Sequence, residues 1–360
     1  MRIAFILPRE YPYPVGGYKV VYEYANYLAS QNDEVYILYS SSYSLGELRI
    51  IDKLRILKYY LLARKRKTFL SSLWFNLKAE VHETRIMSID KYFLPKCDAY
   101  IATAIKTAVA LNKIHSINNK KKFYFIQGFE NWSVNGNDSL VYETYKYPMT
   151  KIVISNWLKR IMDEMNEEAF FIPNGFDFDF FQYSTPIEKR NRFHIAYMYH
   201  PHPLKGAEVA FQAFEKVKAT IPELRITIFS AYDKPEGLPD WYDFYQQPNQ
   251  ALFNKIYNDA AIFVGSSNNE GWGLTIGEAM ICGCAVVCTN NRGYLEMVVN
   301  EDNALVVPVG DSERMSDAII RLIHDVDLRI RLAKNGHNSI QRFKWENSFK
   351  ELRDVIHSIV

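Results

Sequence analysis

Residues 270–283 read EGWGLTIGEAMICG and lie between two short apolar runs, 261–264 and 285–288. Each run is rich in β-branched or aromatic residues and has the length of a buried strand. Between the runs, Leu274 and Ile281 recur at the spacing of one helix face. The pattern therefore predicts a strand, a glycine-rich turn, a short helix and a second strand. In a parallel α/β sheet such a turn lies at the carboxyl end of a strand, where ligands bind.

The residue types in this turn favour an anionic ligand that also carries hydroxyl groups. Gly271 and Gly273 allow a sharp turn and a close approach of the backbone to a ligand. The free N–H groups at the start of the following helix suit a phosphate or diphosphate. Glu270 in the loop and Glu278 in the second helical turn can each accept hydrogen bonds from sugar hydroxyls. An ordinary βαβ unit with two surface glutamates is the alternative.

Two glutamates separated by seven residues, followed by Ala-Met-x-Cys-Gly-x-x-Val-Val, resemble the donor-site signature of retaining glycosyltransferases of family 4. Other stretches are similar to this family in the same chain order. They are Gly16-Gly17, residues 172–175, Lys205-Gly206, Gly293, Glu296, residues 303–308 and Trp345.

The resemblance implies an α/β protein with the GT-B fold, in which two Rossmann-like domains with parallel sheets face each other across a cleft. Residues 1–174 would form the acceptor-binding domain and residues 175–342 the nucleotide-sugar-binding domain. A C-terminal helix, 343–360, would cross back to the first domain. The length of 360 residues independently favours two domains.

The function implied by the resemblance is retaining transfer of a hexose or deoxyhexose from a nucleotide diphosphate sugar. The acceptor would be a lipid-linked glycan or oligosaccharide in cell-surface polysaccharide synthesis. Glu270 and Lys205 are the implied catalytic residues. The implied donor-binding residues are His200, Gly271, Trp272, Gly273, Leu274, Thr275 and Glu278. The implied acceptor residues at the cleft are Gly16, Gly17, Gln127 and Glu130. No metal or other cofactor is expected.

This chain departs from the family pattern at two places. Gln127 stands where many members carry a histidine, and Glu130 is a candidate substitute or a plain loop carboxylate. Residues 199–202 read YHPH where the family has a Gly-Arg pair, so Lys205 takes a larger share of the diphosphate contact and His200 adds a hydrogen bond. A surface role for Lys205 and a simple tight turn at Gly16-Gly17 are the alternatives.

Residues 49–67 carry eight basic side chains and one acidic side chain, which gives a net charge of +7 in a chain of net charge +2. Ile50, Leu54, Leu57 and Leu61 recur at the spacing of one helix face, so the segment predicts a basic amphipathic helix on an anionic membrane surface. A helix packed on its own domain with a solvated basic face is the alternative. Nucleic acid is not expected, because no aromatic and basic recognition module accompanies the charges. The candidate membrane residues are Arg49, Lys53, Lys58, Arg64, Lys65, Arg66 and Lys67.

The remaining composition narrows the class of protein. Cys282, Cys284 and Cys288 are clustered, but their spacing is poor for a tetrahedral metal site and favours small buried thiols. No apolar run approaches the length of a membrane-spanning helix. The first residues predict a buried strand and not a signal peptide, so we expect a cytoplasmic protein, peripheral on the inner face of the membrane.

Other functions remain open on the sequence. A sugar-nucleotide epimerase or a phosphorylase shares the two-domain architecture, and a sugar-nucleotide binder with weak or no turnover fits the missing arginine. An NAD-dependent enzyme is a weaker alternative, because the turn at Gly16-Gly17 is not Gly-x-Gly-x-x-Gly. No pattern indicates an oligomeric state.

Overall fold

Alternating apolar strands and helices build two separate parallel sheets in the computed structural model, which describes residues 1–44 and 48–360. Residues 1–174 and 346–360 form one compact unit, and residues 175–345 form the other. The second unit ends three residues later than the domain expected from the sequence. The α/β class with two Rossmann-like domains follows the prediction.

The sheet of the first unit has the strand order β3-β2-β1-β4-β5-β6-β7 in the described residues. Its strands are β1 Arg2–Leu7, β2 Glu34–Ser40, β3 Val81–Ile86, β4 Ala99–Ala102, β5 Lys122–Ile126, β6 Thr150–Val153 and β7 Ala169–Phe171. Its helices up to residue 174 are α1 Gly16–Ser30, α2 Ile50–Lys65, α3 Ile105–Asn112, α4 Asp138–Tyr145 and α5 Asn156–Glu164.

The sheet of the second unit has the order β10-β9-β8-β11-β12-β13, again parallel throughout. Its strands are β8 Asn191–Met198, β9 Arg225–Ser230, β10 Tyr242–Gln246, β11 Ala260–Gly265, β12 Ala285–Thr289 and β13 Leu305–Val307. Its helices are α6 Ala207–Thr220, α7 Gln250–Asp259, α8 Leu274–Ile281, α9 Ser312–His324 and α10 Val326–Ile340. The last helix, α11 Trp345–Ile359, brings the chain into the first unit from Glu346 onward.

Two neighbouring strands of the second sheet are buried along their whole length. Every residue of β11 and of β12 is buried, because helices cover both faces of a parallel sheet. This burial explains why the two runs that flank residues 270–283 are continuously apolar and do not alternate. Helix α6 contributes Phe214 and Val217 to the same core.

The sequence predicts an acidic cap at residues 311–313 on the helix that follows, and Ser155 as the N-cap of a helix over residues 156–165. The Asp311 side chain accepts a hydrogen bond from the Arg314 N–H at 2.9 Å and caps α9, as predicted. Ser155 stands at the N-cap position of α5, but its side chain does not cap the helix. Its hydroxyl group is buried without a hydrogen-bond partner, so the prediction of a serine cap was wrong.

A buried carboxylate joins both ends of the chain within the first unit. Asp33 accepts hydrogen bonds from the Met1 amino group at 2.8 Å and from the Arg353 Nε at 2.9 Å, and His357 lies at 3.1 Å. Burial by itself would raise the pKa of Asp33, but these three groups outweigh it and lower the pKa overall. The cluster attaches α11 to the start of β2.

Helix α2 forms where the basic segment predicted a helix, but its apolar side chains are not confined to one face. The predicted stripe is present, and exposed apolar side chains also lie at Ile51, Tyr59 and Leu62. No residue of α2 is buried. The expected two-faced helix is therefore corrected to one with apolar residues on several sides. In the part of the chain that the structure describes, no helix is long and apolar enough to cross a membrane.

Candidate functional site

The glycine-rich turn lies at the topological switch point of the second sheet. Strand β8 pairs with β9 on one side and with β11 on the other, so the connections leaving β8 and β11 diverge. Ligands bind at such a point, beyond the carboxyl ends of the strands. Residues 199–206 follow β8 and residues 266–273 follow β11. The fold thus brings together two loops that are far apart in sequence.

An ion pair joins these two loops. The Nζ of Lys205 donates to the Oε1 of Glu270 at 2.7 Å, and the Ser267 hydroxyl donates to the same oxygen at 2.8 Å. Both side chains of the ion pair keep access to solvent, with 28% of the Lys205 side chain and 16% of the Glu270 side chain exposed. The two residues expected to be catalytic are therefore adjacent, and Lys205 is held in an ion pair. Ser267 was missed by the sequence reasoning, although it lies close to Glu270 in the chain.

Helix α8 begins at this place without a side-chain cap. Its N-cap is Gly273, which has a φ of +103°, and a Cβ there would lie 2.5 Å from the ring of Tyr294. Only glycine suits that combination of backbone angle and close contact. Leu274 and Thr275 in the first turn are half-buried. The helix start therefore offers backbone N–H groups and the positive end of the helix dipole to an anion.

Two of the expected donor-binding side chains are buried. Trp272 is 3% exposed and packs edge-on against Phe343, with ring centroids 5.1 Å apart. Its indole therefore faces the protein interior, and what it offers a ligand is its backbone. Glu278 is 5% exposed, and its Oε2 accepts a hydrogen bond from the Tyr257 hydroxyl at 3.2 Å. Tyr257 lies on α7, and no pattern in the sequence connects it with Glu278.

His200 presents one hydrogen-bond donor beside Lys205. Its Nδ1 accepts from the His202 N–H at 3.0 Å, so the ring proton is on Nε2. The ring packs against Tyr232, with centroids 4.5 Å apart. Burial, assisted by the Lys205 charge and by His202, lowers the pKa of His200 to about 4. The imidazole is therefore neutral at pH 7 and donates through Nε2.

In the first unit, the side chain of Gln127 lies against the glycine turn that follows β1. A Cβ placed on Gly17 would be 3.2 Å from the Gln127 Oε1. Gly16 and Gly17 form the first turn of α1, which also begins without a side-chain cap. Because β4 separates β1 from β5 in the sheet, the two loops meet above the carboxyl end of β4. Three of the expected acceptor residues are thus neighbours.

Glu130 caps a helix. Its carboxylate accepts a hydrogen bond from the Ile105 N–H at 2.8 Å, at the start of α3. Desolvation of the carboxyl group raises the pKa of Glu130 to about 7, against the opposing effect of that hydrogen bond. Such a pKa suits a general base, and the capping bond also gives the side chain a structural role.

Glu130→Gln is expected to change how stability depends on pH. Because the folded-state pKa is raised, folding becomes less favourable as pH rises from about 4.5 to 7, where the folded protein holds the proton more tightly than the unfolded chain. Glutamine keeps an acceptor for Ile105 and carries no charge, so the variant should be more stable than the wild type by about 1–3 kcal/mol at pH 8 and equal to it at pH 4. Urea denaturation at both pH values measures this. Glu143→Gln, which removes an exposed carboxylate, is the control, and an equal stability difference at pH 4 and pH 8 would contradict the prediction.

The cysteines near the glycine-rich turn lie in the protein interior. The four cysteines are free and buried, and burial raises the pKa of Cys284 to about 11. Among residues 1–44 and 48–360, no group of three or more His, Cys, Asp or Glu side chains is arranged to hold a metal ion. The interpretation of the cysteine cluster as buried thiols is confirmed.

Part of the second unit matches a family model. Residues 183–339 match the family model described as "Glycosyl transferases group 1". The capsular polysaccharide biosynthesis glycosyltransferase CapM of Staphylococcus aureus is 24% identical over 226 residues, which cover 58% of this chain and 59% of the relative. A phosphatidyl-myo-inositol mannosyltransferase of Mycolicibacterium smegmatis is 25% identical over 220 residues, 58% of this chain and 57% of the relative. The chain thus matches less than two thirds of the length of these relatives.

Solved structures resemble the whole chain. Sucrose-phosphate synthase from Thermosynechococcus elongatus aligns with a TM-score of 0.76 at 15% identity and covers 100% of this chain and 99% of its own. Anabaena HepE in complex with UDP-glucose aligns with a TM-score of 0.71 at 16% identity, covering 99% and 100%. Likeness at such identity establishes the fold alone. The predicted GT-B fold is thereby confirmed.

Proposed function

We propose that the chain transfers a sugar from a nucleotide diphosphate sugar to a glycan acceptor, in keeping with the match of residues 183–339 to the glycosyl transferases group 1 model. The observation that carries the proposal is the Lys205–Glu270 ion pair beside the uncapped start of α8. It combines a cation, the backbone N–H groups at the start of a helix and a carboxylate at the switch point of the sheet. These are the groups that a diphosphate joined to a sugar requires.

In the proposal, the cation and the hydrogen-bond donors of the site stabilise the diphosphate leaving group. When the bond between the sugar and the diphosphate breaks, negative charge builds up on the phosphate oxygens. Preorganised donors aimed at that charge lower the barrier. In the proposal, these donors are the Lys205 ammonium, the N–H groups at the start of α8 and the Nε2–H of His200. The proposal assigns the stabilisation to the protein itself and requires no metal ion.

The two glutamates account for the hydroxyl-bearing parts of the donor. Glu278 is assigned to the ribose, and Glu270 to the sugar that is transferred, where its charge also favours a cationic transition state. Tyr257 orients the Glu278 carboxylate through its hydroxyl group, and Ser267 does the same for Glu270. Each carboxylate is therefore held by a neutral hydroxyl donor.

Transfer is proposed to retain the configuration at the anomeric carbon, with the departing phosphate taking the proton of the acceptor. This route needs no histidine base, so it accommodates Gln127. The acceptor is assigned to the first unit near Gly16, Gly17 and Gln127, and Glu130 caps α3 close in sequence to that loop. The names of two relatives, which refer to capsular polysaccharide biosynthesis and to phosphatidyl-myo-inositol, support a glycan or lipid-linked acceptor in surface polysaccharide synthesis. The proposal places this acceptor at the inner face of the cytoplasmic membrane.

A sugar-nucleotide binder with little turnover is the second candidate function. It is favoured by residues 199–202, where the family's arginine is absent and two histidines occupy the loop. A neutral His200 offers a hydrogen bond but no charge to a diphosphate. The two functions differ in one observable, because a binder releases no nucleoside diphosphate when an acceptor is added.

The donor site is tested by a thermal-shift screen of the protein with UDP-, GDP- and dTDP-linked sugars and with NAD. A donor at 100 times its dissociation constant should stabilise the wild type by ~2.7 kcal/mol. Glu278→Gln should abolish the shift because it replaces one of the two acceptor oxygens of the carboxylate by an NH2 group, which can only donate. Glu313→Gln, an exposed carboxylate of the same unit, should retain the shift.

Release of nucleoside diphosphate with lipid-linked acceptors then separates an enzyme from a binder. A shift with NAD alone, or none with any nucleotide sugar at millimolar concentration, would refute the donor site. A shift without turnover on every acceptor would favour the binder.

A further inference from the structure

Helix α2 exposes an unusual amount of apolar surface. Ile50 is 75% exposed, Leu54 60% and Leu61 49%, and Leu57 is exposed as well. Apolar side chains normally cover a core when they recur at this spacing. Here they do not, because no residue of α2 is buried.

The exposed stripe lies on the side of α2 that points away from its own unit. Ile50, Leu54, Leu57 and Leu61 follow the i, i+4, i+7, i+11 pattern, and all four are exposed. Most of the half-buried residues lie on another side of the helix, which is packed beside β3. They are Asp52, Ile56, Tyr60 and Ala63, and Lys53 at the edge of the stripe is half-buried as well. The packing of the helix on its own unit therefore uses the other face and leaves the stripe uncovered.

Basic side chains border the stripe on both edges. At 3.6 residues per turn, Lys53 and Arg64 lie along one edge, and Lys58 and Lys65 lie along the other. In the described part of the chain, no carboxylate pairs with these four side chains.

Other cations of the segment have partners already. Arg49 and Arg55 pair with Asp52 at 3.2 and 3.8 Å. Arg66 pairs with Glu10 at 3.7 Å. The structure therefore divides seven of the eight basic side chains into a paired group and a group that borders the stripe, and the eighth, Lys67, lies beyond the end of α2.

The chain just after α2 is fixed to the sheet. Arg85 on β3 donates to the Thr68 carbonyl at 2.7 Å and contacts Glu10, and its guanidinium lies 4.0 Å from the centre of the Phe69 ring. Glu10 also accepts from the Leu70 N–H at 3.0 Å. The exposed stripe is therefore presented from an anchored position.

We propose that α2 binds an anionic lipid surface, with the stripe of Ile50, Leu54, Leu57 and Leu61 inserted among the acyl chains and Lys53, Lys58, Arg64 and Lys65 on the lipid phosphates. Apolar insertion and electrostatic attraction to anionic lipids together hold such helices in the interface. The inference deepens the proposed function, because it relies on that function for the nature of the acceptor at the same surface. Binding to the lipid requires no transfer activity.

The charge of the segment and its apolar stripe together favour a lipid surface over a second copy of the chain or a nucleic acid. A second copy of the chain would bring two segments of net charge +7 together, and like charges repel. A nucleic acid would satisfy the cations and leave the apolar stripe in water. An anionic membrane can bind the basic side chains through its phosphates and cover the apolar stripe with its acyl chains.

Co-sedimentation of the full chain with vesicles tests the proposal. Binding is compared on phosphatidylcholine vesicles and on vesicles containing phosphatidylglycerol. The insertion variant Leu54→Gln/Leu61→Gln and the charge variant Lys58→Gln/Lys65→Gln should each weaken binding to the anionic vesicles by roughly tenfold or more. Leu73→Gln, an exposed leucine elsewhere in the first unit, and Lys189→Gln/Lys234→Gln, two exposed lysines outside it, should bind as the wild type.

Several outcomes would overturn the inference. One is that the protein binds equally to both kinds of vesicle. Another is that the insertion variant or the charge variant binds as the wild type does. The third is that the wild type does not bind vesicles but self-associates, and that the insertion variant abolishes this self-association. The thermal shift with a nucleotide sugar is measured on the same variants. This shift should be unchanged in the variants. The two measurements therefore test the donor-site proposal and the lipid-binding proposal separately.

Discussion

Lys205→Ala is expected to lower kcat/KM for sugar transfer by about 100- to 1,000-fold. The Nζ of Lys205 is 2.7 Å from the Glu270 carboxylate and is the ammonium group that the proposal places on the leaving diphosphate. Its removal takes away a charge that is needed most when the bond to the sugar breaks. The neutral His200 cannot replace that charge. Initial rates of nucleoside diphosphate release, with the donor identified by the thermal-shift screen, measure the effect.

The matched control is Lys255→Ala. Lys255 also belongs to an ion pair in the second unit, with Asp259 at 2.6 Å, but that pair is an exposed i, i+4 contact on α7. Exposed pairs contribute little to stability, so this variant should keep both fold and rate. Equal rates for Lys205→Ala and the wild type would remove Lys205 from the mechanism. Equal losses in both variants would point to a general effect on the fold.

Gly206→Ala should destabilise the second unit by about 2–5 kcal/mol. Gly206 has a φ of +64°, and a Cβ there would lie 2.1 Å from the Ser266 carbonyl oxygen. The left-handed backbone costs an alanine about 1–2 kcal/mol. Displacing a backbone oxygen adds about 1–3 kcal/mol, as overpacking does elsewhere. Because Gly206 follows Lys205 directly, the same displacement would also move the ion pair.

Gly237→Ala separates the cost of the left-handed backbone from the cost of displacing a neighbouring atom. Gly237 has a φ of +72°, but a Cβ there meets nothing within 4 Å, so this variant should lose only the conformational term of about 1–2 kcal/mol. Hydrogen exchange of the β8 and β11 amide groups reports on the second unit by itself, which avoids treating two units as one transition. If Gly206→Ala lost no more stability than Gly237→Ala, the close approach of the two loops would be contradicted.

Neighbouring residues determined much of the local structure. Residues 260–289 predicted a strand, a glycine turn, a helix starting after Gly273 and a second strand, and β11, α8 and β12 follow that order. The signals are local: β-branched runs favour strands, glycine permits a φ of +103°, and Asp311 caps the helix that begins at the next residue. The helix over the basic segment could be predicted in the same way, because the periodicity of apolar residues depends only on neighbouring turns of the chain.

The contacts that make a site are long-range, and only the tertiary structure decided them. Lys205 and Glu270 are 65 residues apart in the chain, and they meet because β8 and β11 are neighbours in the sheet. Tyr257 reaches Glu278 because α7 and α8 flank the same strand. Periodicity likewise shows which side chains of α2 share a face, but whether another element covers that face depends on the rest of the fold. The sequence by itself therefore determined the strands, the helices, the family signature and the net charge. The packing of the sheets decided which charges form pairs, which glutamate is buried and which apolar stripe is left exposed, because these depend on the spatial order of strands that are distant in the chain.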